Sequence, residues 1–130
     1  MSHNRLTGGL EPLSGCKELL GLDLYDNQLY GGLEPLRSCT ALQRLDLSSN
    51  QITGSLGPLR GCTAIRELYF FLNQLTGDLE PLQDCISLQR LDLSHNQLSG
   101  ALDPLWGCTR VRLAVLAPIT QDLALIRTLP

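Results

Sequence analysis

The sequence has little that would let it act through charge, membrane insertion or clustered aromatic groups. Its 130 residues carry 10 Lys and Arg against 13 Asp and Glu, so a formal net charge of −3 gives no basic surface for nucleic acid. Aromatic residues make up 5 % of the chain, and it has two histidines. The longest apolar runs are a handful of residues, whereas a membrane span needs about 20, so no membrane insertion is expected.

Signals of secretion are also missing. The opening segment MSHNRLTGG lacks the apolar core of a signal peptide, and no asparagine begins an N-x-Ser/Thr glycosylation sequon. These absences predict either a chain that is not secreted or a piece of a longer protein.

Repetition is the main positive feature of the sequence. Four residue types recur every 23 residues over five cycles, in the unit L-x-x-L-x-L-x-x-N-x-L-x-G-x-L-x-P-L-x-x-C-x-x. The recurring positions are Asn4, Asn27, Asn50, Asn73 and Asn96; Gly8, Gly31, Gly54, Gly77 and Gly100; Pro12, Pro35, Pro58, Pro81 and Pro104; and Cys16, Cys39, Cys62, Cys85 and Cys108.

This unit resembles the leucine-rich repeat family from about Asn4 to Leu116. Its G-x-L-x-P-L half is similar to the plant-type subclass, although the repeat is one residue shorter and a cysteine replaces the usual late leucine. The resemblance implies an α/β fold, a leucine-rich-repeat solenoid in the form of a right-handed β-α superhelix. A parallel sheet would line the concave face, and short helical or extended segments would form the convex face.

The residues support the same organisation. The LDL segments alternate inward and outward as a strand does, and one coil is predicted to bury Leu42, Leu45, Leu47, Ile52, Leu56, Leu59 and Cys62. The asparagine is expected to satisfy backbone groups where the chain turns, the glycine to adopt unusual dihedral angles, and the proline to start a helical turn.

The solenoid is predicted to occupy residues 1–117 and a degenerate C-terminal cap or tail residues 118–130. Ile119, Leu123 and Ile126 have the spacing of a short helix, while a disordered or partner-bound tail is the alternative. The N-terminus begins within a repeat, which predicts a longer natural protein or an end that docks on a partner and leaves self-association open.

The five cysteines are interpreted as buried, reduced thiols. Stacked coils hold their Cβ vectors parallel, which disfavours disulfides, and a straight column cannot surround a zinc ion. Free thiols favour a reducing compartment, so an intracellular location is preferred over the extracellular one that the plant-type resemblance suggests.

Catalysis and cofactors are not expected. Asp26, Ser49 and His95 share a repeat position, but Ser49 and His95 lie two coils, or about 10 Å, apart, beyond hydrogen-bond reach. The aspartate column of Asp23, Asp46 and Asp92 has arginines nearby, which favours solvated ion pairs over a metal site.

The third repeat departs from its neighbours, because it has LYFFL where they have LDLSS and LDLSH. Tyr69, Phe71 and Leu72 are predicted to form an exposed apolar patch with charged neighbours. The alternative is that these side chains only pack on one another. The full candidate partner-binding set is Tyr25, Arg44, Asp46, Tyr69, Phe71, Leu72, Arg90, Asp92 and His95.

The resemblance implies binding without catalysis, so the predicted function is recognition of a protein of unknown identity through the concave face. The alternative is a structural subunit of a large assembly, docked through its ends or its convex face, where Trp106 lies.

Overall fold

A computed structural model describes residues 4–111 in full and the backbone of the strand Leu113–Val115. Its coils stack as a solenoid with parallel strands, as predicted. The expected cap or tail at residues 118–130 lies outside the described residues.

The LDL segments form the first sheet, in which each strand pairs in parallel with the equivalent strand of the next coil. Its strands begin one residue earlier than the LDL segments. Within the described residues they are β2 (Gly21–Asp23), β4 (Arg44–Asp46), β6 (Glu67–Tyr69), β8 (Arg90–Asp92) and β10 (Leu113–Val115).

A second parallel sheet, which the repeat pattern did not predict, follows the asparagines. Its strands in the described chain are β1 (Thr7–Gly8), β3 (Gln28–Gly31), β5 (Gln51–Gly54), β7 (Gln74–Gly77) and β9 (Gln97–Leu98). Neighbouring strands are offset by two residues relative to the repeat, so that Thr53 pairs with Gln74 rather than with Thr76. Each coil therefore carries two short strands on adjacent sides.

The rest of each coil contains a short 3-10 helix, which confirms the predicted helical turn. Proline lies at the start of every one of them, where its missing N–H is not needed. Their bounds in the described chain are Glu11–Leu13, Glu34–Leu36, Gly57–Leu59, Glu80–Leu82 and Asp103–Leu105.

The leucine positions form one continuous core along the solenoid. All seven residues predicted to face inward in the second full coil have no solvent exposure. A single coil cannot bury such side chains, so each one gains its burial from the coils on either side.

The asparagine ladder fixes the turn between the two sheets. The Oδ1 atom of Asn50 accepts from the backbone N–H of Leu29 at 3.0 Å, and its Nδ2 donates to the carbonyl oxygens of Leu24 and Leu47, both at 2.9 Å. One carboxamide thus connects two successive coils, as the sequence predicts.

The cysteine column forms a second ladder, in which the thiols of Cys62, Cys85 and Cys108 donate to the carbonyl of the preceding cysteine. The Sγ–O distances are 3.4 Å from Cys62 to Cys39, 3.5 Å from Cys85 to Cys62 and 3.3 Å from Cys108 to Cys85. Cys39, Cys62, Cys85 and Cys108 are fully buried and unpaired, whereas Cys16 is half-buried. The predicted inward orientation is confirmed for these four.

Candidate functional site

The candidate surface lies on the outward face of the first sheet, where strand alternation presents two rows of side chains. Arg44, Glu67 and Arg90 are register partners in one row. Asp46, Tyr69 and Asp92 are register partners in the other. Eight of the nine predicted residues, all except Tyr25, belong to these rows or to the turns that follow β6 and β8. We call the side chains of these rows and turns the first-sheet face: Arg44, Asp46, Glu67, Tyr69, Phe71, Leu72, Arg90, Asp92 and His95.

Tyr69 is held among charged neighbours. Its hydroxyl donates a 2.7 Å hydrogen bond to Oε1 of Glu67, and the guanidinium of Arg44 lies 5.5 Å from the centre of its ring. Burial and the bond to Glu67 raise the pKa of Tyr69, while nearby Arg90 opposes the shift. Tyr69 is therefore half-buried and oriented, rather than freely exposed as predicted.

Arg44 forms ion pairs with two acidic side chains. Its guanidinium lies 3.7 Å from a carboxylate oxygen of Asp23 and 3.8 Å from one of Glu67. These groups are partly solvated, so the pairs orient side chains more than they stabilise the fold. Glu67 was not in the predicted set, although its outward strand position beside Tyr69 was a usable signal.

Phe71 packs against His95 of the next coil, with ring centres 5.2 Å apart and planes at 88°. This edge-to-face contact leaves Phe71 half-buried. Tyr25 lies two coils away from Phe71, with Ser48 at the equivalent position between them. The structure therefore groups the third and fourth coils and leaves Tyr25 apart.

Leu72 is the exposed apolar residue of the predicted patch, with 46 % of its surface accessible. Its φ of 56° lies in the left-handed region, as do those of Asp26, Ser49 and His95 at the same repeat position. Asp and His tolerate this conformation much better than leucine does. The conformation directs an apolar side chain to solvent at the edge of the sheet.

The aspartates of the second row have a structural role that was not predicted from the sequence. Oδ1 of Asp46 accepts the backbone N–H of Ser48, and Oδ1 of Asp92 accepts that of Ser94, both at 3.0 Å. Such bonds to the second following residue fix the turn after each strand. Both serines are buried, although the strand alternation, if it continued past the aspartates, would place them outward.

Among the described side chains, no group of three His, Cys, Asp or Glu lies close enough to hold a metal ion. None of the helices in that part of the chain has the length and apolar character to cross a bilayer.

Stacked parallel coils with an asparagine ladder define a solenoid repeat protein. A family model for leucine-rich repeats, described as two copies, matches residues 40–84 and 63–105, together just over half of the chain. The chain belongs to the leucine-rich repeat family. A comparison with curated protein sequences gives no significant match.

Three similar solved structures are plant receptors. They are the peptide hormone receptor RGFR1 in complex with RGF2 (31 % identity, TM-score 0.83), the ectodomain of the Arabidopsis thaliana receptor kinase SOBIR1 (28 %, 0.82), and the ectodomain of the A. thaliana receptor kinase GASSHO1/SCHENGEN3 with CASPARIAN STRIP INTEGRITY FACTOR 2 (29 %, 0.78). The matches cover 89 %, 89 % and 87 % of this chain but 19 %, 66 % and 14 % of the respective receptor chains.

The predicted intracellular location is contradicted by this comparison, since the similar structures include receptor ectodomains, which point to the outside of the cell. The prediction rested on unpaired cysteines. Burial raises the pKa of Cys85 to about 12, and burial also raises the pKa values of Cys39, Cys62 and Cys108. Thiols in this state are poor nucleophiles, so their reduced form does not require a reducing compartment.

Proposed function

We propose that the chain binds a peptide or protein partner, without catalysis, through the first-sheet face, which we expect to be the concave side of the solenoid. The observation that carries this proposal is Leu72, an exposed leucine in a left-handed conformation beside half-buried aromatic residues. Apolar anchors bordered by charged groups are typical of binding hot spots.

The surroundings of Leu72 support the same function. Arg44, Glu67 and Tyr69 are already oriented by mutual contacts, so little side-chain entropy is lost when a partner binds. Arg90, Asp92 and Asp46 supply charges of both signs around the apolar centre. Tyr25 lies two coils away from Phe71, so we expect it to contact only a partner that extends along the solenoid.

The similar receptors support a peptide or protein partner and an extracellular setting. RGFR1 and GASSHO1/SCHENGEN3 were each solved with a bound factor. Because the chain spans only part of these receptors, we propose that it acts as a recognition module of the kind found in their ectodomains.

The experiment is affinity capture with three immobilised proteins: the wild type, Leu72→Asp and Trp106→Ala. Aspartate already occupies the left-handed position at Asp26, so Leu72→Asp removes the apolar anchor and preserves the backbone. A partner lost by Leu72→Asp and retained by Trp106→Ala supports the proposal. A partner retained by Leu72→Asp and lost by Trp106→Ala would instead favour docking through the opposite side, where Trp106 is 52 % exposed.

A further inference from the structure

The second sheet carries an uncharged polar surface that the first-sheet face does not explain. Its outward side chains alternate with the buried leucines and isoleucine of β3, β5, β7 and β9. We call it the amide–hydroxyl face. It consists of exposed glutamines and hydroxyl residues: Gln28, Gln51, Gln74, Gln97, Thr7, Tyr30, Thr53 and Thr76.

The two-residue offset of this sheet places each hydroxyl residue directly beside the glutamine of the next coil. The register partners are Thr7 with Gln28, Tyr30 with Gln51, and Thr53 with Gln74, and the last pair is Thr76 with Gln97. Adjacent strands lie about 4.8 Å apart, so four equivalent amide–hydroxyl pairs repeat over a length of about 19 Å.

The glutamine side chains are available for a ligand. None of the four carboxamides donates or accepts a hydrogen bond within the described chain. Among the hydroxyls, Thr76 has a weak 3.5 Å bond to the carbonyl of Gly54. Each carboxamide offers both donors and acceptors, and each hydroxyl offers both as well.

The chemistry of this face indicates its partner. The strands Gln28–Gly31, Gln51–Gly54 and Gln74–Gly77 contain no charged residue, in contrast to the first-sheet face with its arginines and acids. A neutral surface gives no advantage to an anionic polymer. Tyr30 is 56 % exposed beside Gln51 and presents an apolar ring with a polar tip.

We propose that the amide–hydroxyl face binds a neutral polysaccharide that lies across the strands of the second sheet. Sugar hydroxyls donate and accept as the carboxamides do, a polymer supplies them at regular intervals, and the ring of Tyr30 stacks on the apolar face of one sugar. This binding is independent of the protein partner proposed above and uses none of its residues.

The test measures binding to dextran, xyloglucan and mixed-linkage β-glucan by affinity gel electrophoresis, with polygalacturonate as the charged comparison. The wild type is expected to be retarded by at least one neutral polymer and not by polygalacturonate. Tyr30→Ala and Gln51→Glu should each weaken that binding about tenfold, because the first removes the one stacked ring and the second replaces one of four carboxamides with a charged group.

The matched control is Gln83→Glu, which makes the same change of charge at an exposed glutamine that ends a 3-10 helix away from this face. It should bind as the wild type does, and circular dichroism should show all variants folded. Three results would overturn the proposal: no retardation by any neutral polymer, equal retardation by polygalacturonate, or equal weakening by Gln83→Glu. Self-association that Gln51→Glu abolishes, seen by ultracentrifugation without polysaccharide binding, would also overturn it.

Discussion

The backbone N–H of Phe71 donates a 3.0 Å hydrogen bond to Oγ of Ser48 in the preceding coil. In the neighbouring coils the aspartate that ends the strand accepts the equivalent N–H, as Asp46 does for Ser48. Tyr69 replaces that aspartate in the third coil and has no carboxylate. The serine of the coil before it therefore supplies the acceptor that the aromatic substitution removed.

Replacing Ser48 should show how much the stability of the fold depends on this hydrogen bond. Ser48→Ala leaves the N–H of Phe71 without its acceptor in a half-buried turn, and we expect the free energy of unfolding to fall by about 1–2 kcal/mol. Urea denaturation followed by circular dichroism measures the change.

Ser94→Ala is the control, since the Ser94 hydroxyl donates to the half-buried carboxylate of Asp92, and its loss leaves no backbone N–H of the described chain without an acceptor. It should cost less than Ser48→Ala. Tyr69→Asp should partly rescue Ser48→Ala by restoring the local acceptor. Equal losses for the two serines, with no rescue, would show that the hydrogen bond contributes nothing.

We expect the left-handed backbone at Leu72 to lower the free energy of unfolding of the protein. Asparagine adopts the left-handed region far more readily, so Leu72→Asn should raise the free energy of unfolding by about 1 kcal/mol. Leu72→Ala keeps the unfavourable φ of 56° and should give no such gain. If Leu72→Ala stabilises the protein as much as Leu72→Asn does, the gain comes from removing an exposed apolar side chain and not from relieving backbone strain.

The cysteines should differ sharply in reactivity. At pH 8 we expect Ellman's reagent to label only the half-buried Cys16 rapidly in the folded protein, and the four buried thiols only in urea. Rapid labelling of two or more thiols without denaturant would contradict the buried ladder.

The same ladder predicts a loss of stability in alkali. Burial raises the pKa of Cys85 to about 12, whereas an unfolded thiol ionises near 8.5, so above that pH the unfolded state releases protons that the folded state retains. Stability should therefore be intact below pH 8 and fall as the pH rises from about 8.5 towards 12. Cys85→Ala should reduce the slope of unfolding free energy against pH over this interval, and an unchanged slope would contradict this origin of the alkaline loss.

Much of the coil could be predicted because its residues act at fixed positions. Leu45, Asn50 and Pro58 each satisfy a requirement that recurs in every turn of the chain, so their 23-residue spacing reveals the core, the ladder and the helical turn. The second sheet was not predicted because its strands show little alternation: β5, for example, has one buried residue, Ile52, between two polar ones. So short an alternation is not distinctive.

The candidate surface was predicted less well for a physical reason. Strand alternation places Ser48 outward, but the chain leaves the strand at Asp46 and turns, which buries Ser48 to 4 % exposure. The left-handed φ of Leu72 likewise depends on that turn and has no signature in the residue itself. The compartment was predicted wrongly because free thiols were taken to require a reducing environment, whereas buried thiols with a raised pKa are poor nucleophiles in any compartment.

Hydrogen–deuterium exchange of the chain with and without its captured protein partner tests the central claim most directly. Binding through the first-sheet face predicts new protection in residues 67–72 and 90–95, with no change in the 3-10 helices or around Trp106. Protection confined to residues 80–86 and 103–106, with residues 67–72 exchanging as in the free protein, would contradict the account.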